Sequence, residues 1–241
     1  MHTLNRPLLL SGNNQVGFTI MESWVAVIVL GILMTAIAPT SVISTATRVQ
    51  SRSVELATQA AKAYISGVNA GNIPAPPITD TKKVEAPDST ENLNCKENNL
   101  QKEKGYCSSH NEDSYRVFCV DGDGDNQCDK ENPQDLIVQA FGLSTSTDAS
   151  RGYKLGIRVY RADAFKDRGD LETNYSDESG NKKTQSTFTG GIGKRKTPLV
   201  EMTTEIGTER TTFQDFCSRL ESFKDSVNED SEYNSQCKQE D

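Results

Sequence analysis

The residues with the densest potential chemistry are Asp121-Gly122-Asp123-Gly124-Asp125-Asn126-Gln127-Cys128-Asp129. Alternate carboxylates in a loop softened by glycine can turn several oxygens toward one hard cation, so Asp121, Asp123, Asp125 and Asp129 are candidate calcium ligands. The pattern departs from an EF-hand loop at its sixth position, where Asn126 stands in place of glycine, and at its twelfth, where Asn132 stands in place of glutamate. The same residues also read as a plain Asp-Gly turn that follows a strand and binds nothing.

Six cysteines offer a second chemistry: Cys95, Cys107, Cys119, Cys128, Cys217 and Cys237. None sits in a Cys-x-x-Cys pair, and the even count suggests disulfides made in an oxidising compartment. Six cysteines allow about fifteen pairings. Sequence proximity favours Cys95 with Cys107, Cys119 with Cys128 and Cys217 with Cys237. A zinc site is the competing reading, and these spacings with only two histidines give it little to build on.

Catalytic residues are scarce. His110 is the only histidine after His2 and lies in a Ser-Ser-His-Asn-Glu-Asp stretch. No Gly-x-Ser-x-Gly or His-Glu-x-x-His motif accompanies it, and Gly190, Gly191, Gly193 and Lys194 lack the spacing and the following Ser or Thr of a phosphate-binding loop. The chain is expected not to be an enzyme.

One carboxylate stands out by its surroundings. Phe18 to Ala38 reads FTIMESWVAVIVLGILMTAIA, 21 residues that are apolar almost throughout, with Glu22 fifth in the run. As a helix the run rises ~31 Å, enough to cross a hydrocarbon core. A cleaved secretory signal needs a shorter apolar core and a small-residue exit, which this segment lacks. An acid in that setting costs about 2.5 to 3.5 kcal/mol unless neutralised or paired. One remedy is local, because an anion near a helix N-terminus is favoured by the macrodipole. The other is a cation brought by a neighbouring subunit.

Gly17-Phe18-Thr19-Ile20-Met21-Glu22 followed by that apolar stretch resembles the class III signal of type IV pilins and pseudopilins. The resemblance implies that a prepilin peptidase cuts between Gly17 and Phe18 and methylates the exposed Phe18 amine. It further implies a role for Glu22 in subunit assembly, a helix bend at Pro39, and an inner-membrane assembly platform and other pilin or pseudopilin subunits as partners. A free amine on Phe18 four positions from Glu22 gives physical sense to the motif. In a bundle of helices the amine of one subunit can neutralise the buried acid of the next. Residues 115 to 125, Tyr-Arg-Val-Phe-Cys-Val-Asp-Gly-Asp-Gly-Asp, and the large polar remainder are similar to cyanobacterial hormogonium polysaccharide secretion pseudopilins. That narrower likeness implies a part in polysaccharide export and gliding.

The elements that must position these groups follow from periodicity. Beyond Pro39, the positions Val42, Ala46, Val49, Ala57, Ala60, Tyr64 and Val68 recur at three- and four-residue spacing, interrupted at Ser53, while Arg48, Arg52, Glu55 and Lys62 lie off the stripe. This predicts one amphipathic helix that stops at Gly67 or Gly71. Residues 72 to 112, with Pro74, Pro76 and Pro77, read as a long loop. Strands are expected at 115–120, 136–141, 153–160 and 198–203, and a helix at 213–223 with Phe213, Phe216, Leu220 and Phe223 on one side. The polar stretch between Phe165 and Lys196 reads as a solvated excursion.

The expected organisation is a leader at 1–17, a membrane and assembly helix at 18–38, its amphipathic continuation at 39–71 and an extracytoplasmic head at 72–241. The expected fold is α+β and pilin-like, a long N-terminal helix on an antiparallel sheet stapled by disulfides. The location implied is the inner membrane, crossed once, with the head in the periplasm or on the cell surface.

Charge excludes one class of partner. Lys and Arg number 26 against 34 Asp and Glu, a formal net charge of −8, and only Lys194-Arg195-Lys196 is locally basic. Such a chain repels phosphate backbones, so no nucleic-acid partner is expected. With 34% hydrophobic residues and a mean hydropathy of −0.60, one large buried core is also excluded. Two functional classes remain: a filament subunit whose activity is assembly, and a membrane-tethered binding module with a calcium-stabilised head.

Overall fold

The computed structural model describes residues 19–80, 83–89, 93, 95, 105–107, 113–125, 127–167, 169, 171–173 and 194–222, without the side chains of 36–43, 221 and 222. The chain divides into two compact units, Met1–Thr45 and Ala46–Asp241. The division falls inside the first helix, so the distal helix belongs with the second unit.

Helix α1, Ile20–Asn69, runs 50 residues. Its start is set locally. Thr19 precedes the first helical residue, and its Oγ1 accepts from the Glu22 amide at 3.4 Å, the Ser/Thr-x-x-Glu arrangement of a capping box. Its end is set by Gly71, which at φ 71° takes the left-handed region that other residues resist. Gly71 N–H reaches Val68 O at 3.0 Å and Asn72 N–H reaches Gly67 O at 2.9 Å, which closes the last turn as a Schellman motif.

From Trp24 to Met34 α1 is apolar on every side. Val27, Ile28, Val29 and Leu30 are successive and each is about half exposed or more, and four successive residues cover the helix circumference at 3.6 per turn. Among the described residues no helix is long and apolar enough to cross a membrane. The expected span loses Phe18 and residues 36–38 to the undescribed side chains.

The second unit is α+β. Its sheet holds β1 (Ile78–Thr79), β2 (Arg116–Val120), β3 (Leu136–Leu143), β4 (Tyr153–Arg161) and β5 (Val200–Ile206), and α2 (Phe213–Ser222) follows. Strands β3, β4 and β5 pair antiparallel in that order. The other edge of β3 is shared: β2 pairs antiparallel with Leu136–Ala140, and β1 pairs parallel with Gly142 and Leu143. The sheet is therefore mixed and not wholly antiparallel, because β1 arises within the expected 72–112 loop. Two residues directly after Pro76 and Pro77 carry no alternation from which a strand could be read.

Both faces of the sheet are covered. Leu136, Val138, Ala140, Leu155, Ile157 and Val159 pack with Ala57, Ala60, Ala61, Tyr64 and Val68 of α1. On this face Tyr64 and Tyr106 share a hydrogen bond at 2.5 Å and Tyr106 donates to Pro74 O at 2.7 Å, and burial pushes the Tyr64 hydroxyl well above its ordinary range. The opposite face carries Ile137, Phe141 and Tyr160 beneath Val84, Tyr115, Phe165 and Leu171. Being covered twice, β3 is buried at every position, which matches its nearly unbroken apolar run.

Two details of the expected helix faces differ. Val49 is 62% exposed and Gln50 is buried instead. On α2, Phe213 is 67% exposed, while Asp215, Cys217 and Arg219 are buried. Arg219 donates to Glu205 at 3.2 Å and to the carbonyls of Arg151 and Gly152, so polar anchors seat this helix.

Candidate functional site

The acidic loop lies at the turn between β2 and β3. Pairing of Val120 with Leu136 sets the residues after Val120 opposite those before Leu136. Asp135 thereby joins the loop: oxygens of Asp121, Asp123 and Asp135 all lie within 4.8 Å of one another. Asp125 and Asp129 are outside this trio and accept from the amides of Gln127 at 2.8 Å and Glu131 at 2.9 Å. Asp135 was not among the sequence candidates because it falls outside the alternating run. The signal that could have found it was the strand pair itself.

Asp135 is fully buried and accepts from Gly122 N at 3.1 Å and Asp129 N at 2.8 Å. Asp121 accepts from the amides of Asp123 and Gly124 at 3.0 and 2.6 Å. Asn132 stands among the acids, its Nδ2 donating to Asp123 Oδ2 at 2.7 Å and Asp135 Oδ1 at 3.3 Å. The glycines are required here. A side chain at Gly122 would collide with Gln134 O at 2.1 Å, and Gly124 has φ 86°. The Cys119–Cys128 disulfide closes the loop from below.

Crowding has an electrostatic consequence. The Asp123 carboxyl is held above its ordinary value by desolvation in the loop, opposed by the hydrogen bond it accepts from the Asp125 amide, and reinforced by the charge of Asp125, a side-chain hydrogen bond with Asp121 and the charge of Asp135. A hard cation would relieve that repulsion. Three converging carboxylates fit such an ion, with carbonyls or water completing the six to eight oxygens that calcium takes.

Glu22 occupies the third position of α1, beside the Thr19 cap. An acid there is stabilised by the helix dipole without any partner. Gly17 and Phe18, between which cleavage is expected, and His110 and Cys237 lie outside the described residues, as does the Pro39 side chain, although α1 continues through that position.

Of the expected disulfides, Cys95–Cys107 and Cys119–Cys128 are formed. Cys217 is also disulfide-bonded, and its expected partner is the undescribed Cys237. No protein-family model, curated protein or solved structure matches the chain.

Proposed function

We propose that the chain is a non-enzymatic, pilin-like subunit, cut by a prepilin peptidase after Gly17 and assembled through α1 into a filament that supports polysaccharide secretion and gliding. One observation carries the reading: the Gly17-to-Glu22 motif stands directly ahead of a helix segment that is apolar on all sides and exposed in the single chain. Exposed apolar surface of that extent calls for lipid or other helices. In this reading Glu22 serves twice, capping α1 through its place beside Thr19 and then receiving the Phe18 amine of an adjacent subunit.

The test is the mass of the mature N-terminus in cells that carry the peptidase. A chain that begins at a methylated Phe18 is expected, and retention of Met1 overturns the reading. Glu22→Leu should leave the membrane location intact and abolish incorporation into filaments.

A second reading is favoured by the Thr19 cap, which gives Glu22 a purpose inside its own chain, and by the converged acids of the head. It holds residues 1–70 to be a plain anchor for a calcium-stabilised binding module. Under it Glu22→Leu changes nothing beyond a weakened helix start, and the leader stays attached.

A further inference from the structure

A cavity of about 410 Å³ opens at the carboxyl ends of β1 and β3. Its origin is topological. β1 and β2 occupy successive stretches of one edge of β3 but run in opposite directions, so the chain leaving β1 at Asp80 and the chain entering β2 at Asp113 and Ser114 part at the same place. The volume lies within the range of small-ligand sites.

The lining selects a class of ligand. Asp80 and Asp113 supply carboxylates, and Thr79, Ser114, Ser144 and Thr145 are among the hydroxyls around them. Ile78 is the single apolar side chain, and no basic or aromatic residue appears among the described lining. Anions are repelled by the two acids. A neutral ring bearing many hydroxyls meets complementary groups. Each carboxylate can accept from two vicinal hydroxyls in charge-assisted bonds, and the Ser114 and Thr145 hydroxyls can donate or accept as the ring requires, while the Ser144 hydroxyl already accepts from the Ser146 amide at 3.3 Å. A hard divalent cation is the competing occupant, since two carboxylates with neighbouring hydroxyl oxygens also suit it, and the experiment separates the two.

We infer that this cavity binds a neutral saccharide unit, with Asp80 and Asp113 as its principal hydrogen-bond acceptors. The inference stands apart from the filament reading, since the cavity belongs wholly to the Ala46–Asp241 unit and serves a filament subunit or a tethered module alike.

The experiment uses saturation-transfer NMR on the full chain in a detergent without sugar headgroups, probed with glucose, galactose, N-acetylglucosamine and glucuronate. Transfer to at least one neutral sugar is expected with a Kd on the order of 1 mM, and glucuronate should bind at least ~10-fold more weakly. Asp80→Ala and Asp113→Ala should each weaken binding ~10-fold. Both positions are exposed, so the fold is spared. Thr147→Arg, from the exposed rim, should block the cavity without removing either acid. The proposal is overturned if no neutral sugar responds at ~50 mM, if glucuronate binds as well as glucose, or if all three variants bind like the parent. It also fails if calcium is captured through Asp80 and Asp113 while sugars are ignored.

Discussion

Asp123 is held in a ring of like charge, and the sign of its effect depends on what else is bound. Its folded carboxyl takes up a proton more readily than the ordinary value of 3.8. The resulting stabilisation is therefore present at acid pH and is lost as pH rises past that value. At neutral pH, without a divalent ion, Asp123→Asn should raise the melting temperature by removing repulsion. With millimolar calcium the same change should lower it, because a ligand is lost and ligand binding stabilises by mass action. EDTA should lower the melting temperature of the parent chain and leave the Asp121→Asn, Asp123→Asn double variant unchanged. A parent melting curve indifferent to both EDTA and calcium would reduce the loop to a turn.

Among the elements, α2 depends most on a few polar bonds. Thr212 Oγ1 accepts from the Asp215 amide at 3.2 Å, and Asp215 Oδ2 accepts in return from the Thr212 amide at 3.0 Å. The Thr212 hydroxyl also donates to Asp215 at 2.7 Å, and Arg151 pairs with the same carboxylate at 2.5 Å. Together the Thr212 hydroxyl and amide, then Arg151, hold the Asp215 carboxyl down to about 2. A depressed acid contributes stability above its unfolded value and loses it as pH falls through the folded one. Hydrogen exchange should thus show α2 protected at pH 5 and freed between pH 4 and pH 2 ahead of β3 and β4. Thr212→Ala should cost about 1 kcal/mol and flatten that pH dependence, and equal protection of α2 at both extremes would contradict the capping account.

At the scale of the molecule, two-sided coverage of one sheet is the main source of stability in the Ala46–Asp241 unit. The α1 side of the sheet is a continuous apolar layer. The other side is assembled from irregular segments, with Cys107 buried in its core and Cys95, Cys119 and Cys128 packed against it. Polar side chains knit that side further. Arg158, buried in β4, donates to Val84 O at 2.8 Å and to Gln139 at 3.2 Å, and Gln139 donates to Glu85 O at 2.5 Å. Loops without regular structure contribute little order of their own, so the bridges matter here. Each of Cys95–Cys107 and Cys119–Cys128 should contribute about 2–3 kcal/mol through the unfolded chain. Reduction should then lower the melting temperature by ~5 °C or more, and hydrogen exchange should rise first on the Val84 and Tyr115 side. Reduction that loosened the α1 side first would place the bridges in the wrong layer.

Local patterns in the chain determined much of this. Alternation and β-branching mark β2, β3, β4 and β5 to within a few residues, Gly71 marks the end of α1 because a positive φ is needed there, and cysteine proximity marks the two described bridges. Tertiary pairing decided the rest. β1 is too short to show a period and exists only because the β3 edge beyond β2 had unmet backbone groups. Asp135 enters the acidic loop through strand register, while Asp125, though inside the alternating run, is not among the three acids that converge. Gln139 and Arg158 are buried because two layers close over the strands that carry them, which no window along the chain reveals. Periodicity reports which side of an element is apolar, but the partner that covers that side is set by contacts between residues far apart in sequence.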